Sequence, residues 1–131
     1  MSTRPVGVRP GTSVLECSRV LREHAAGCIL VLEGAAALGI ITERDIVWKV
    51  IATARDTRIV TAREIMTAPI EAIAPERDLY DAIVLMKNLE IRHLPVMDQG
   101  RVVGVLSVQD VLRLEPALFE VLEAVQEENW R

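Results

Sequence analysis

Sliding the chain along itself by 65 residues carries Pro10 onto Pro75, Val31 onto Val96, Gly39 onto Gly104 and Asp45 onto Asp110 without a gap. Similar residues fall into the same register: Val8 on Ile73, Val14 on Leu79, Leu21 on Met86, Ile29 on Leu94, Ile40 on Val105, Ile41 on Leu106, Thr42 on Ser107 and Ile46 on Val111. Four identities alone would carry little. A gapless register that also keeps the apolar pattern over about 38 positions marks a duplicated unit. At this length the chain is expected to be one ordinary domain or two small half-domains sharing one core, and the repeat favours the half-domains.

The repeat also decides how the apolar stretch Ala25 to Thr42 is read. Its single charge is Glu33, so it approaches the roughly 20 apolar residues that a membrane-spanning helix needs. Its partner copy carries Glu90, Arg92, His93, Asp98 and Arg101 and is unsuited to a bilayer, so neither copy is expected to span one. Glu33-Gly34 reads instead as a turn between two buried strands. With four aromatics among 131 residues, the core must be aliphatic. Nineteen acidic against 15 basic residues, a net charge of −4, argue against a general nucleic-acid binder, whose footprint is basic. Cys17 and Cys28 are too few for a disulfide framework or a zinc site and read as small core side chains, which suits a reducing cytoplasm. No secretory h-region follows Met1.

Local signals place the elements. Ser13-Val14-Leu15-Glu16, Asp78-Leu79-Tyr80-Asp81 and Ser107-Val108-Gln109-Asp110 each pair a capping residue with an acid three positions on, and Thr61-Ala62-Arg63-Glu64 is a further capping box. Leu79, Ile83 and Met86 recur at helical spacing. Leu94 to Met97 and Val102 to Leu106 read as strands around an Asp98-Gln99-Gly100 turn. Ile70 to Ala74 reads as a short extended segment, Ile46 to Ala54 as a helical extension and Arg55 to Val60 as a linker. The predicted order is β-α-β-β-α, twice. Repeat boundaries follow at 1–60, linker included, and 61–114. Residues 115–131 form a C-terminal amphipathic helix with the stripe Leu118, Val121, Leu122 and Val125.

The second copy contains Ile65-Met66-Thr67, Pro69-Ile70, Pro75, Leu79, Ala82, Met86, Ile91-Arg92-His93-Leu94-Pro95-Val96, Gly104-Val105-Leu106-Ser107 and Asp110-Val111. The first keeps Pro10, the apolar run Ile29 to Leu32 and Gly39-Ile40-Ile41-Thr42-Glu43-Arg44-Asp45-Ile46, but has Ala26-Gly27-Cys28 where the second has an Arg-His pair. This ordered set resembles a pair of cystathionine-β-synthase (CBS) repeats, the unit often called a Bateman module. The resemblance implies an α/β (α+β) fold of two βαββα repeats packed by their sheets around a pseudo-two-fold axis, with ligand clefts between them. It also implies assembly into homodimers and binding of an adenosine-containing ligand: AMP, ADP, ATP or S-adenosylmethionine.

Gly39-Ile40-Ile41-Thr42-Glu43-Arg44-Asp45 runs a strand into a helix start, where free amides attract anions. A carboxylate there can accept hydrogen bonds from ribose hydroxyls. Equally, Thr42 with Asp45 forms a capping-box pair that serves the backbone alone. The resemblance gives Asp45 the ribose role and gives Arg92 and His93 the phosphate, with Thr42 and Arg44 beside them and Ala68, Pro69 and Ile70 lining the adenine pocket. It gives a second set to Ser107 and Asp110 with Thr3, Pro5 and Val6. That set faces Gly27 and Cys28 rather than cations, so one phosphate-competent site is expected rather than two. His24 reads as a surface helix residue. No Gly-x-Ser-x-Gly, phosphate-binding P-loop or His-Glu-x-x-His pattern is present, which argues against an enzyme, and the resemblance implies a non-catalytic regulatory module relaying ligand occupancy to a partner. The alternative is a dimerisation platform whose clefts bind nothing.

Overall fold

A computed structural model describes residues 6–123, which divide into two compact units, 6–71 and 72–123. In the first unit, β1 (Gly7–Val8) pairs parallel to β2 (Cys28–Glu33), and β2 pairs antiparallel to β3 (Ala36–Thr42), giving the sheet order β1-β2-β3. The β2–β3 register places Leu30 opposite Ile40 and Cys28 opposite Thr42. Between β1 and β2 lies α1 (Val14–Glu23), which starts because the Ser13 side chain accepts the Glu16 amide at 3.2 Å. Its apolar face puts Val14, Cys17 and Leu21 on the sheet, against Ile29, Val31 and Ile41. After β3 come α2 (Glu43–Ile46), a π-helical turn (Val47–Ile51) and α3 (Ala62–Ile65).

Arg55 to Val60 is more than a linker. The first two amides of α1 have no partner within their own helix. Val14 N–H donates to the Val60 carbonyl at 2.8 Å and Leu15 N–H to that of Thr57 at 2.9 Å. In return the first amides of α3, Ala62 and Arg63, donate to the carbonyls of Thr12 and Pro10 at 2.8 and 3.0 Å. Val60, Ala62 and Ile65 join the first core. The chain then runs along the outer edge of β3, where Ile40 and Thr67 exchange both backbone hydrogen bonds, at 3.0 and 2.8 Å. The first unit thus takes in 61–71, a segment that the repeat boundaries assign to the second repeat.

In the second unit α4 (Leu79–Leu89) is capped by Asp78, whose side chain accepts the Asp81 amide at 2.8 Å. It ends at Glu90, which turns left-handed with φ 56° while the Ile91 amide reaches back to the Met86 carbonyl at 2.9 Å. β4 (His93–Asp98) and β5 (Arg101–Ser107) form an antiparallel hairpin. Its two turn residues, Gln99 and Gly100, both have positive φ, 50° and 79°, as a tight twisted hairpin turn demands. α5 (Val108–Leu114) follows. The extended segment expected at Ile70 to Ala74 is reduced to one parallel bridge, Ile73 with Val96. The repeated β-α-β-β-α order is therefore present, with a single-residue first strand in the second copy. Ile73, Ile83, Met86, Leu94, Val96, Leu106 and Val111 form its core.

A 3-10 turn (Pro116–Leu118) leads into helical residues 119–123. Of the terminal stripe, Leu118 is buried and Val121 and Leu122 pack on the second core, whereas Val125 lies outside the described residues. The helical extension expected at Ile46 to Ala54 is a π-turn followed by irregular turns, with the Ala52 amide on the Val47 carbonyl at 2.8 Å. Among the described residues, no helix is long and apolar enough to cross a membrane.

Candidate functional site

β3 delivers Thr42 to the start of α2, and the helical turn folds Asp45 back beneath it. Thr42 N–H donates to Asp45 Oδ2 at 2.9 Å, so the capping function read from the spacing is in place. The Thr42 hydroxyl lies 3.4 Å from the same oxygen. Asp45 is the only buried polar or charged side chain among the described residues, at 8% exposure. Burying a carboxylate is costly unless it is paired, and its other oxygen meets that demand. Lys49 Nζ stands 2.8 Å from Asp45 Oδ1, and the Thr67 hydroxyl donates to it at 3.1 Å.

Lys49 and Thr67 are the residues that the sequence reading missed. Lys49 sits one turn after Asp45, at the acid-then-base i,i+4 spacing that favours a helical ion pair, and that spacing was the available signal. Its ammonium also donates to the Ile65 carbonyl at the end of α3, at 2.8 Å, and lies 3.5 Å from the Thr67 hydroxyl. One lysine thus links α2, α3 and the strand at the edge of β3. Arg44 stacks on Trp48, its guanidinium carbon 4.2 Å from the ring centroid. Ala68 and Pro69 are exposed and Ile70 is half-buried. Val6 packs against the first core and its carbonyl accepts the Leu30 amide at 2.8 Å. Thr3 and Pro5 lie outside the described residues.

The second unit brings Arg92, His93, Ser107 and Asp110 together. His93 and Ser107 are opposite one another in the β4–β5 ladder, and the first amide of α5, that of Val108, donates to the Arg92 carbonyl at 2.9 Å. Ser107 and Asp110 form a reciprocal capping box, Ser107 N–H to Asp110 Oδ2 and Asp110 N–H to Ser107 Oγ, both at 3.0 Å. Burial alone would raise the Asp110 carboxyl, but the Ser107 amide and hydroxyl, together with Arg113, outweigh it and hold it below the ordinary aspartate value. Arg113 Nη2 stands 3.7 Å from Asp110 Oδ1 on an exposed side chain. Position 114, equivalent to Lys49, is Leu114, which is exposed. Arg92 is exposed and His93 half-buried. His24 is an exposed residue at the end of α1.

Two helix-start carboxylates, each following a Gly-x-x-Thr/Ser strand end, are therefore shared by both units, while their immediate counter-charges differ. The CBS domain profile matches residues 1–52 and again 62–117. A Methanopyrus kandleri protein, MK0525, is 34% identical over 116 residues, covering 87% of this chain and 59% of its own length. The CBS domain-containing protein YhcV of Bacillus subtilis is 32% identical, covering 85% of this chain and 79% of its own. Among solved structures, a putative signal-transduction protein with CBS domains from Burkholderia ambifaria superposes with a TM-score of 0.84 at 30% identity, over 88% of this chain and 85% of that one. The CBS domain pair of protein MJ0100, solved with 5′-methylthioadenosine and S-adenosyl-L-methionine, superposes with a TM-score of 0.79 at 26% identity, over 89% and 92%. The chain thus holds two CBS repeats and belongs to the CBS domain family as an α+β CBS pair.

Proposed function

We propose that the chain is a non-catalytic regulatory module that binds an adenosine-containing ligand and relays its occupancy to a partner protein. The observation that carries this is the helix-start carboxylate that both units hold after a Gly-x-x-Thr/Ser strand end, Asp45 and Asp110. A carboxylate is a strong hydrogen-bond acceptor for a ribose diol. The adenosine-type ligands bound by MJ0100, a CBS pair of similar fold, support the ligand class. The candidates are AMP, ADP, ATP and S-adenosylmethionine. Asp45 is assigned the ribose, and Arg92 and His93 an anionic group. The module is taken to work as a homodimer in the cytoplasm.

A ligand at 100 times its Kd adds about 2.7 kcal/mol of stability. A thermal-shift screen of the four ligands should therefore raise the melting temperature with at least one of them. AMP should bind better than adenosine, and an Arg92→Ala/His93→Ala variant should narrow that difference. Equal affinities for AMP and adenosine would place the phosphate elsewhere. A second reading, a platform that binds no nucleotide, is favoured by the four donors already on Asp45. It predicts no shift with any of the four ligands.

A further inference from the structure

The Asp45 carboxylate has roughly four acceptor positions on its two oxygens. All are engaged from within the first unit: Thr42 N–H and hydroxyl on Oδ2, Lys49 and the Thr67 hydroxyl on Oδ1. A ribose diol needs two of them, and the long 3.4 Å contact of the Thr42 hydroxyl yields one by rotation, so one more donor must leave. The Thr42 amide is fixed by the capping of α2, and the Thr67 backbone is fixed by its paired hydrogen bonds to Ile40. The Lys49 side chain is the movable donor, since 44% of it is exposed and it hangs on a flexible four-carbon stem.

We propose that Lys49 is the specificity-determining residue of the Asp45 site, an internal ammonium that a ribose must displace before it can dock. The proposal rests on the reading above that the ligand's ribose docks on Asp45. The ammonium at 2.8 Å is a full counter-charge to the carboxylate, whereas the ribose hydroxyl that would replace it brings no charge of its own. Ribose alone therefore exchanges a stronger contact for a weaker one. Lys49 is also held by the Ile65 carbonyl at 2.8 Å, which keeps the ammonium in place when no ligand is bound. The second unit has Leu114 at the matching position, so this competition is a property of the first unit's own sequence.

The test is calorimetric titration of adenosine and AMP into wild type, Lys49→Met, Lys49→Gln, Asp45→Ala and Lys49→Met/Asp45→Ala. Lys49→Gln retains a donor for the Ile65 carbonyl and guards against a folding defect, and melting curves verify that each variant is folded. Both lysine variants should bind adenosine about tenfold more tightly than wild type, and the gain should vanish in the double variant. Binding by the lysine variants alone, with none by wild type, gives the same support. Binding that depends on Asp45 but is unchanged or weakened in the lysine variants overturns the competition and leaves the ribose assignment standing. Binding that is indifferent to Asp45→Ala, or absent in every variant, overturns the ribose assignment and the competition with it.

Discussion

Asp45 and Asp110 stand at matching positions of a duplicated unit, each three residues after the hydroxyl residue that caps its helix, yet their surroundings have diverged. Asp45 faces a lysine one turn on, and Asp110 an exposed arginine at 3.7 Å. The two cysteines show the opposite case, in which the residue type alone settles the outcome. Cys17 and Cys28 are both buried and unpaired with one another. Burial pushes each thiol up from 9.0 to about 11, with Glu16 adding to the rise at Cys17 against its own backbone hydrogen bond. The raised value means that the fold holds its thiol protons more tightly than the unfolded chain does. The stabilisation is full below about pH 9 and is lost as the pH rises towards 11, by roughly 2–3 kcal/mol per thiol at most. Urea denaturation at pH 8 and pH 10.5 should show a larger loss for wild type than for a Cys17→Ala/Cys28→Ala variant. Equal losses would assign the alkaline instability to other groups.

At the scale of elements, a close junction forms between β3 and the segment that returns along its outer edge. A Cβ at Gly39 would lie 2.6 Å from Met66 Sδ and 2.9 Å from the Thr67 carbonyl oxygen. The methionine can swing away, but the carbonyl cannot move without loosening the Ile40–Thr67 pair. Gly39→Ala should therefore destabilise the protein by roughly 1–3 kcal/mol, read as a lower urea midpoint, and an unchanged midpoint would refute the close approach. Gly39 was visible in the sequence as a repeat identity, but its neighbour was not. The same division runs through the site. The capping pairs Thr42/Asp45, Thr61/Glu64 and Ser107/Asp110 are three residues apart, so spacing alone reveals them. The Lys49–Ile65 and Asp45–Thr67 contacts join residues 16 and 22 apart, and they exist only because the chain after α3 comes back to β3. Periodicity cannot report that return. It also missed the π-turn at Val47–Ile51, since an apolar run reads alike with five or four residues to the hydrogen bond.

For the whole molecule, the question raised by the exposed apolar side chains is what covers them. Val47, Trp48 and Ile51 are 47%, 61% and 60% exposed on one turn of the first unit, and Leu114 and Phe119 are 63% and 49% exposed in the second. Single exposed apolar residues are ordinary, but three large ones on one turn form a patch of the kind that marks an interface. In a chain with only 3% aromatic residues, placing Trp48 in such a patch is a notable use of apolar surface. A closed pair joined through the same surface on both copies would cover the patch twice with one contact, which is the commonest oligomer geometry. Sedimentation velocity at micromolar concentration should therefore give a species of twice 14.5 kDa. Trp48→Glu with Ile51→Glu would place two like charges from each copy into such a contact, and should move the population to monomer with little loss of monomer stability, because both side chains lie outside the core. A 14.5 kDa species for wild type would overturn the dimer. A dimer that persists in the double variant would move its interface away from the π-turn, to a surface where Leu114 and Phe119 are the next apolar side chains to test.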